Sequence, residues 1–162
     1  MARVRGKSLL SVSTLLASFF GAAMIAAAFA YFNYKFSEYK FIDFKEWIFY
    51  EKSDIFTPTQ DKYVVVFYSS KEKNTAELLS RTDINLPILA IDYYNEVFPN
   101  SENTTFLRSG TKNSLNFIQR FNIYESPSIF FIKKSKDSLY KQDSMIRKLD
   151  NLKELSKQIN TL

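Results

Sequence analysis

Residues 121 to 131 read Phe121-Asn122-Ile123-Tyr124-Glu125-Ser126-Pro127-Ser128-Ile129-Phe130-Phe131. The end of that stretch, continued by Ile132, is a run of β-branched and aromatic residues and reads as a strand. Two comparable runs lie upstream. Tyr63-Val64-Val65-Val66-Phe67-Tyr68 is apolar throughout, as suits a central strand buried on both faces. Leu86-Pro87-Ile88-Leu89-Ala90-Ile91-Asp92 is the other, with Pro87 at its start, where a missing backbone donor is tolerated.

Helical spacing fills the intervals. Ser69 and Ser70 end the first run and are placed to cap a helix over Lys71 to Arg81, with Ala76, Leu78 and Leu79 inward. Ser114 to Phe121 predicts a short helix with Leu115, Ile118 and Phe121 inward. Ser144 to Asn160 predicts an amphipathic helix with Met145, Leu149, Leu152, Leu155 and Ile159 on one face. Before the first strand, Phe41, Phe44, Trp47 and Ile48 share a side at helical spacing, which predicts a helix over Ile42 to Tyr50. Ser53 to Lys62, with Pro58, reads as a loop, and Asn95 to Lys112 as a long polar one. Asp137 to Gln142 predicts an edge strand. The sequon Asn103-Thr104-Thr105 carries no weight, because that pattern arises often by chance. Alternation of this kind implies an α/β domain whose sheet is covered on both faces.

The stretch from Phe121 to Phe131 resembles the segment that leads through the cis-proline strand of the thioredoxin fold. There an aromatic, a small residue and Ile or Val precede, four residues on, a proline, then Ser or Thr, then an apolar strand. Pro127 takes the cis-proline place. Phe67-Tyr68 resembles the aromatic pair that ends the central strand, and the helix from Ser144 matches in place and length. The resemblance covers roughly residues 41 to 162. It implies a thioredoxin-like central sheet with flanking helices, and a dithiol near the start of the helix after Tyr68. The residues there are Ser69-Ser70-Lys71-Glu72-Lys73-Asn74-Thr75, so Ser69, Ser70, Glu72 and Thr75 occupy degenerate redox-motif positions and dithiol exchange is excluded. A serine nucleophile needs an adjacent base, and capping is the role these hydroxyls suit. For Pro127 the resemblance leaves two roles, a structural turn or part of a peptide-binding edge.

Between Lys7 and Lys35 the chain has no charge for 27 residues, Ser8 to Tyr34. As a helix rising ~1.5 Å per residue this run would be about 40 Å long, enough to cross a hydrocarbon core of about 30 Å. Arg3, Arg5 and Lys7 precede it and no acid appears before Glu38, so the positive-inside rule keeps the N-terminus cytoplasmic and sends the rest across, in a bacterium to the periplasm. Tyr31, Phe32, Tyr34, Phe36 and Tyr39 read as an interfacial aromatic belt. Ala28-Phe29-Ala30 fits a signal-peptidase pattern, but Leu9 to Ala30 exceeds the usual ~7–15 residue core of a signal peptide, which favours a retained anchor. Thr14, Ser18, Ala22, Ala26 and Ala30 recur every four residues as a small-residue packing face for a partner helix or a second copy. The expected organisation is a cytoplasmic N-terminus over 1–7, an anchor over 8–34, an aromatic juxtamembrane helix over 35–52 and a thioredoxin-like domain over 53–162.

The net charge is +5, but without Arg3, Arg5 and Lys7 there remain 19 basic and 17 acidic residues. No basic stripe with stacking aromatics points to nucleic acid. The chain has no cysteine and no histidine, which excludes disulfides, thiol chemistry and Cys/His zinc sites and removes the commonest general base. Three glycines, Gly6, Gly21 and Gly110, cannot form a phosphate-binding loop. No cofactor, metal or catalytic residue is expected. An enzymatic role would have to call on lone carboxylates such as Asp61, Asp92 and Glu125. The sequence instead favours a non-catalytic, membrane-anchored scaffold subunit of a larger envelope complex, for example around a flagellar motor, a secretion system or a respiratory complex. The alternative is a membrane-tethered chaperone or assembly factor that binds extended client segments beside Pro127 and residues 95–112.

Overall fold

The computed structural model describes residues 11–38, 40–72, 75–80, 84–149 and 155–159. The chain divides into two compact units, Met1–Glu38 and Tyr39–Leu162.

The first unit is helix α1, Val12–Glu38. The Oγ of Ser11 accepts the Thr14 amide at 3.1 Å, a side-chain cap for an otherwise unpaired donor. Within α1, Val12–Lys35 is long and apolar enough to cross a membrane, and its side chains are exposed throughout. Thr14, Ser18, Ala22, Ala26 and Ala30 all lie on this helix. At about 100° per residue a spacing of four drifts by roughly 40° each step, so the five wind around the helix and do not form a straight seam. Ser18 donates its hydroxyl to the Thr14 carbonyl at 2.9 Å. Residues 1–7 and the side chains of Phe36 and Tyr39 lie outside the described residues.

The second unit is built on a mixed sheet. Its strands are β1 Phe41–Asp43, β2 Tyr50–Glu51, β3 Asp54–Ile55, β4 Lys62–Tyr68, β5 Ile88–Asp92, β6 Thr104–Arg108, β7 Ser128–Lys136, β8 Leu139–Gln142 and β9 Arg147–Lys148. The order across the sheet is β1-β8-β7-β4-β5-β6-β2-β3, and β9 pairs the start of β7. β4, β5 and β6 run parallel, while β7 is antiparallel to β4. Helices α2 Thr75–Ser80, α3 Thr111–Phe121 and α4 Leu155–Ile159 cover the faces. Strand alternation divides the core in two. Val65, Phe67, Leu89, Ile91, Phe130 and Ile132 pack with Phe117 and Phe121 of α3 and with Phe44, Phe49 and Phe56. Val64, Val66, Tyr68, Ile88, Ala90, Ile129 and Phe131 pack with Leu79 of α2 and with Leu155 and Ile159 of α4. The three apolar runs of the sequence are thus the three central strands, buried on both sides.

Several expectations are corrected. The helix over Ile42 to Tyr50 does not form, and the residues assigned to a juxtamembrane segment enter the sheet domain as β1 and β2. The Oδ1 of Asp43 accepts the Lys45 amide at 2.9 Å and the Ser138 hydroxyl at 2.6 Å, an Asx turn that ends β1 and competes with helix. Asp43 is held below the usual carboxylate range, first by the Ser138 bond and then by the Lys45 amide. Ile42, Phe44 and Phe49 become the inward side chains and Ile48 turns outward. The loop expected over Asn95 to Lys112 contains β6, whose Phe106 and Leu107 are buried. In α3, Phe117 is buried where Leu115 was expected, and Leu115 is 53% exposed. The strand expected at the edge over Asp137 to Gln142 is not an edge: β8 lies between β7 and β1. The helix from Ser144 starts late. Ser144 Oγ accepts the Phe131 amide at 2.8 Å, β9 pairs β7, and Met145 is exposed, so pairing in the sheet overrides local helical pattern. Only Leu155–Ile159 is described as α4; Leu152 and Asn160 lie outside the described residues, as do Arg81 and the side chains of Ala76 and Leu78.

Candidate functional site

The carboxyl ends of parallel strands form the natural crevice of an open α/β sheet. Here β4 and β5 end side by side, with Tyr68 opposite Asp92. The third contributor arrives from the other direction. α3 stops at Asn122, whose left-handed φ of 51° suits asparagine, and the Asn122 and Ile123 amides return to the Gln119 and Ile118 carbonyls. The buried Ile123 pins the exit, and the chain runs through Tyr124 and Glu125 to a cis Ser126–Pro127 bond. Phe67 is opposite Ser128, so one further antiparallel step sets Pro127 against Tyr68. Pro127 therefore faces the end of the central strand, where the turn of Ser69 and Ser70 begins.

Asp92 holds this end together. It is 1% exposed. Its Oδ1 accepts the Ser70 amide and its Oδ2 the Glu96 amide, each at 2.8 Å. A buried carboxylate is tolerable only when bonded in this way. The Tyr93 amide adds a bond to the Tyr68 carbonyl at 2.9 Å. Beyond Ser70 the chain turns again: the Glu72 amide donates to the Ser69 carbonyl, and the Thr75 hydroxyl to the Glu72 carbonyl at 3.0 Å. Thr75 is buried at the start of α2.

Ser69, Ser70, Glu72 and Thr75, which the resemblance places at the redox-motif positions, follow one another through this turn into the start of α2. Ser70 Oγ is buried with no hydrogen-bond partner among the described residues, and each oxygen of the nearby Asp92 accepts an amide. Ser126 Oγ and Tyr68 Oη are also buried and have no partner among the described residues. Burial, then Asp92 and Glu96, push the Tyr68 phenol well above its ordinary range, so it stays neutral. The other carboxylates considered do not join the site. Asp61 precedes β4 at the opposite end of the sheet, and Glu125 pairs with Lys148 at 3.1 Å on the surface. Among the described residues no group of three or more acidic side chains could hold a metal.

The rim carries what the sequence reasoning missed. Tyr93 and Tyr94 follow Asp92 and are each 44% exposed, Val97 is 61% exposed, and Tyr124 on the proline loop is 88% exposed. The Tyr93 ring stands edge-on to Phe67 at 6.4 Å and to Tyr94 at 5.0 Å, and Lys71 Nζ lies 4.0 Å from the Tyr94 centroid. The signal was an aromatic pair directly after a buried strand, where turn residues are the norm.

No family model and no curated protein matches this sequence. Solved structures of similar fold include a thioredoxin-like protein from Aeropyrum pernix, 12% identical, with 87% of this chain and 99% of that chain covered and a TM-score of 0.45. Another is the exposed lipoprotein thioredoxin of Streptococcus pneumoniae strain TIGR4, 13% identical, with 63% of this chain and 85% of that chain covered and a TM-score of 0.39. The chain therefore has thioredoxin-like structural neighbours and no cysteine.

Proposed function

We propose that this chain is a membrane-anchored, non-catalytic thioredoxin-like domain that serves as a scaffold subunit of a larger envelope complex. α1 is the anchor, the N-terminus is cytoplasmic and the sheet domain is periplasmic. The observation that carries the reading is the end of the central strand. Serines stand at the degenerate redox positions, Asp92 is wholly engaged in tying two loops, and the rim offers exposed Tyr93, Tyr94 and Val97. Exposed aromatics on a rigid frame are what protein interfaces are enriched in. A periplasmic assembly around a flagellar motor is one candidate host, beside a secretion system and a respiratory complex.

A tethered chaperone is the second reading. Its basis is the exposed Tyr124 on the loop that leads to the cis Ser126–Pro127 bond, a side chain an extended client could contact. The ladder beside Pro127 is not open, however, because the Leu149 amide already donates to the Pro127 carbonyl at 2.8 Å. Crosslinking and affinity purification from gently solubilised membranes separate the two. A scaffold brings down partners in fixed ratio, and Tyr94→Ser with Val97→Ser releases them while the thermal melt stays unchanged. A changing set of unfolded clients would replace this reading with the second one. Full function from an unanchored fragment beginning at Ser37 would remove tethering from either.

A further inference from the structure

The β7–β8 hairpin runs beyond the core. β7 is buried from Ser128 to Ile132 and exposed from Lys133 to Lys136, a segment that reads Lys133-Lys134-Ser135-Lys136. Its strand register makes a row. Lys62 of β4 is opposite Lys133, Lys133 is opposite Lys141 of β8, and Lys141 is opposite Phe41 of β1. Residues directly opposite share a face of the sheet, so three lysines and one aromatic ring lie in line. Like charges placed this way weaken a sheet. Lys62 is compensated, since its Nζ lies 3.3 Å from an Asp143 oxygen and 4.4 Å from the Phe131 centroid. Lys141 Nζ lies 5.8 Å from the Phe41 centroid, a contact that adds no opposite charge. Lys133 and Lys141 have no ion pair among the described residues, nor do Lys134 and Lys136. Of the nearby acids, Asp43 is bound to Ser138 and the Lys45 amide and Asp143 is on Lys62, while Asp61 lies beside Lys134, whose amide its carbonyl accepts at 2.7 Å, and Asp137 is in the hairpin turn.

Lys133 and Lys141 are exposed on one face of the hairpin and have no ion pair among the described residues, so their chemistry faces outward. We propose that the row centred on Lys133 and Lys141 binds anionic phospholipid headgroups. The charge is complementary to any leaflet that carries anionic lipid, on whichever side of the bilayer the domain lies, and each lysine near such a surface is worth about 1 kcal/mol. In sequence only Tyr39 and Lys40 separate Glu38 of α1 from Phe41, so a chain held by α1 carries this row on a short tether to lipid. This inference rests on reading α1 as a span.

The test uses the full chain reconstituted into vesicles. Carbonate-resistant incorporation checks the span separately. Because the chain has no cysteine, Ser135→Cys provides a single dye position. Energy transfer to headgroup-labelled lipid is compared in phosphatidylcholine and in phosphatidylcholine with phosphatidylglycerol. Transfer should rise with phosphatidylglycerol and fall with salt. Lys133→Gln with Lys141→Gln should lower the docking constant about 30-fold, a loss expected from two basic contacts. Both substitutions are at exposed sites, and an unchanged circular dichroism melt confirms the fold. Equal transfer in the two lipid mixtures, or no effect of the double variant, overturns the proposal. Chains that incorporate but behave so refute the lipid site alone; chains that fail to incorporate refute the span on which it rests.

Discussion

Replacing Asp92 by alanine should loosen the whole end of the sheet that the proline loop faces. The side chain is buried and each carboxylate oxygen accepts one backbone amide, from Ser70 and from Glu96. Removing it strands two donors. An unsatisfied buried donor costs about 1–3 kcal/mol, and relief of the buried charge together with entering water offsets part of the sum. A net loss of about 2–4 kcal/mol follows, a large share of the ~5–15 kcal/mol typical of a domain. Asp92→Asn keeps one acceptor but turns an NH2 group toward the second donor, so it should lose about half as much. Urea unfolding, followed by circular dichroism and by tyrosine and tryptophan fluorescence, measures both variants. Hydrogen exchange at the Ser70 and Glu96 amides should quicken in Asp92→Ala before global unfolding does. If alanine leaves stability within about 0.5 kcal/mol of the parent, or asparagine proves worse than alanine, the clamp described here is not what holds these loops.

Other expectations concern hydroxyls and pH. Tyr68→Phe deletes a buried, unpartnered phenol and should be neutral or stabilising by up to about 1 kcal/mol in the same urea titration. Asp43 titrates below its ordinary range in the folded chain, so its contribution is present above the normal carboxylate pKa and disappears as pH falls through the lowered one; Asp43→Asn should therefore show a shallower acid limb in stability against pH. The Tyr140 phenol, which donates to the Gln60 carbonyl at 2.6 Å, is pushed up to about 12 by burial, then by Tyr63 and Asp61. Its contribution is complete below the ordinary value of 10.0 and lost on the way to about 12, so Tyr140→Phe should be about 1 kcal/mol less stable at neutral pH yet flatter across that alkaline interval.

Buried strands announced themselves because continuous apolar runs need two covered faces, and β4, β5 and β7 have them. Pro127 and the aromatic end of β4 were likewise legible, since both are local features of the chain. What escaped depended on distant partners. Phe41, Phe44 and Trp47 have helical spacing, yet Asp43 meets Ser138 across 95 positions of sequence and makes β1 a strand. Thr104-Thr105-Phe106-Leu107-Arg108 lay in a polar surround, and pairing with β5 on one side and β2 on the other makes it regular. The start of the last helix was lost to β7 for the same reason. At the candidate site, Asp92 could be noticed as an acid, but its use as a clamp requires Ser70, 22 positions away in sequence.

The sheet ends in β1 on one side and β3 on the other, strands of three and two residues. An exposed strand edge recruits other chains in proportion to the hydrogen-bonding groups it leaves vacant. These margins leave few, so neither offers a long template on which another chain's strand could zip.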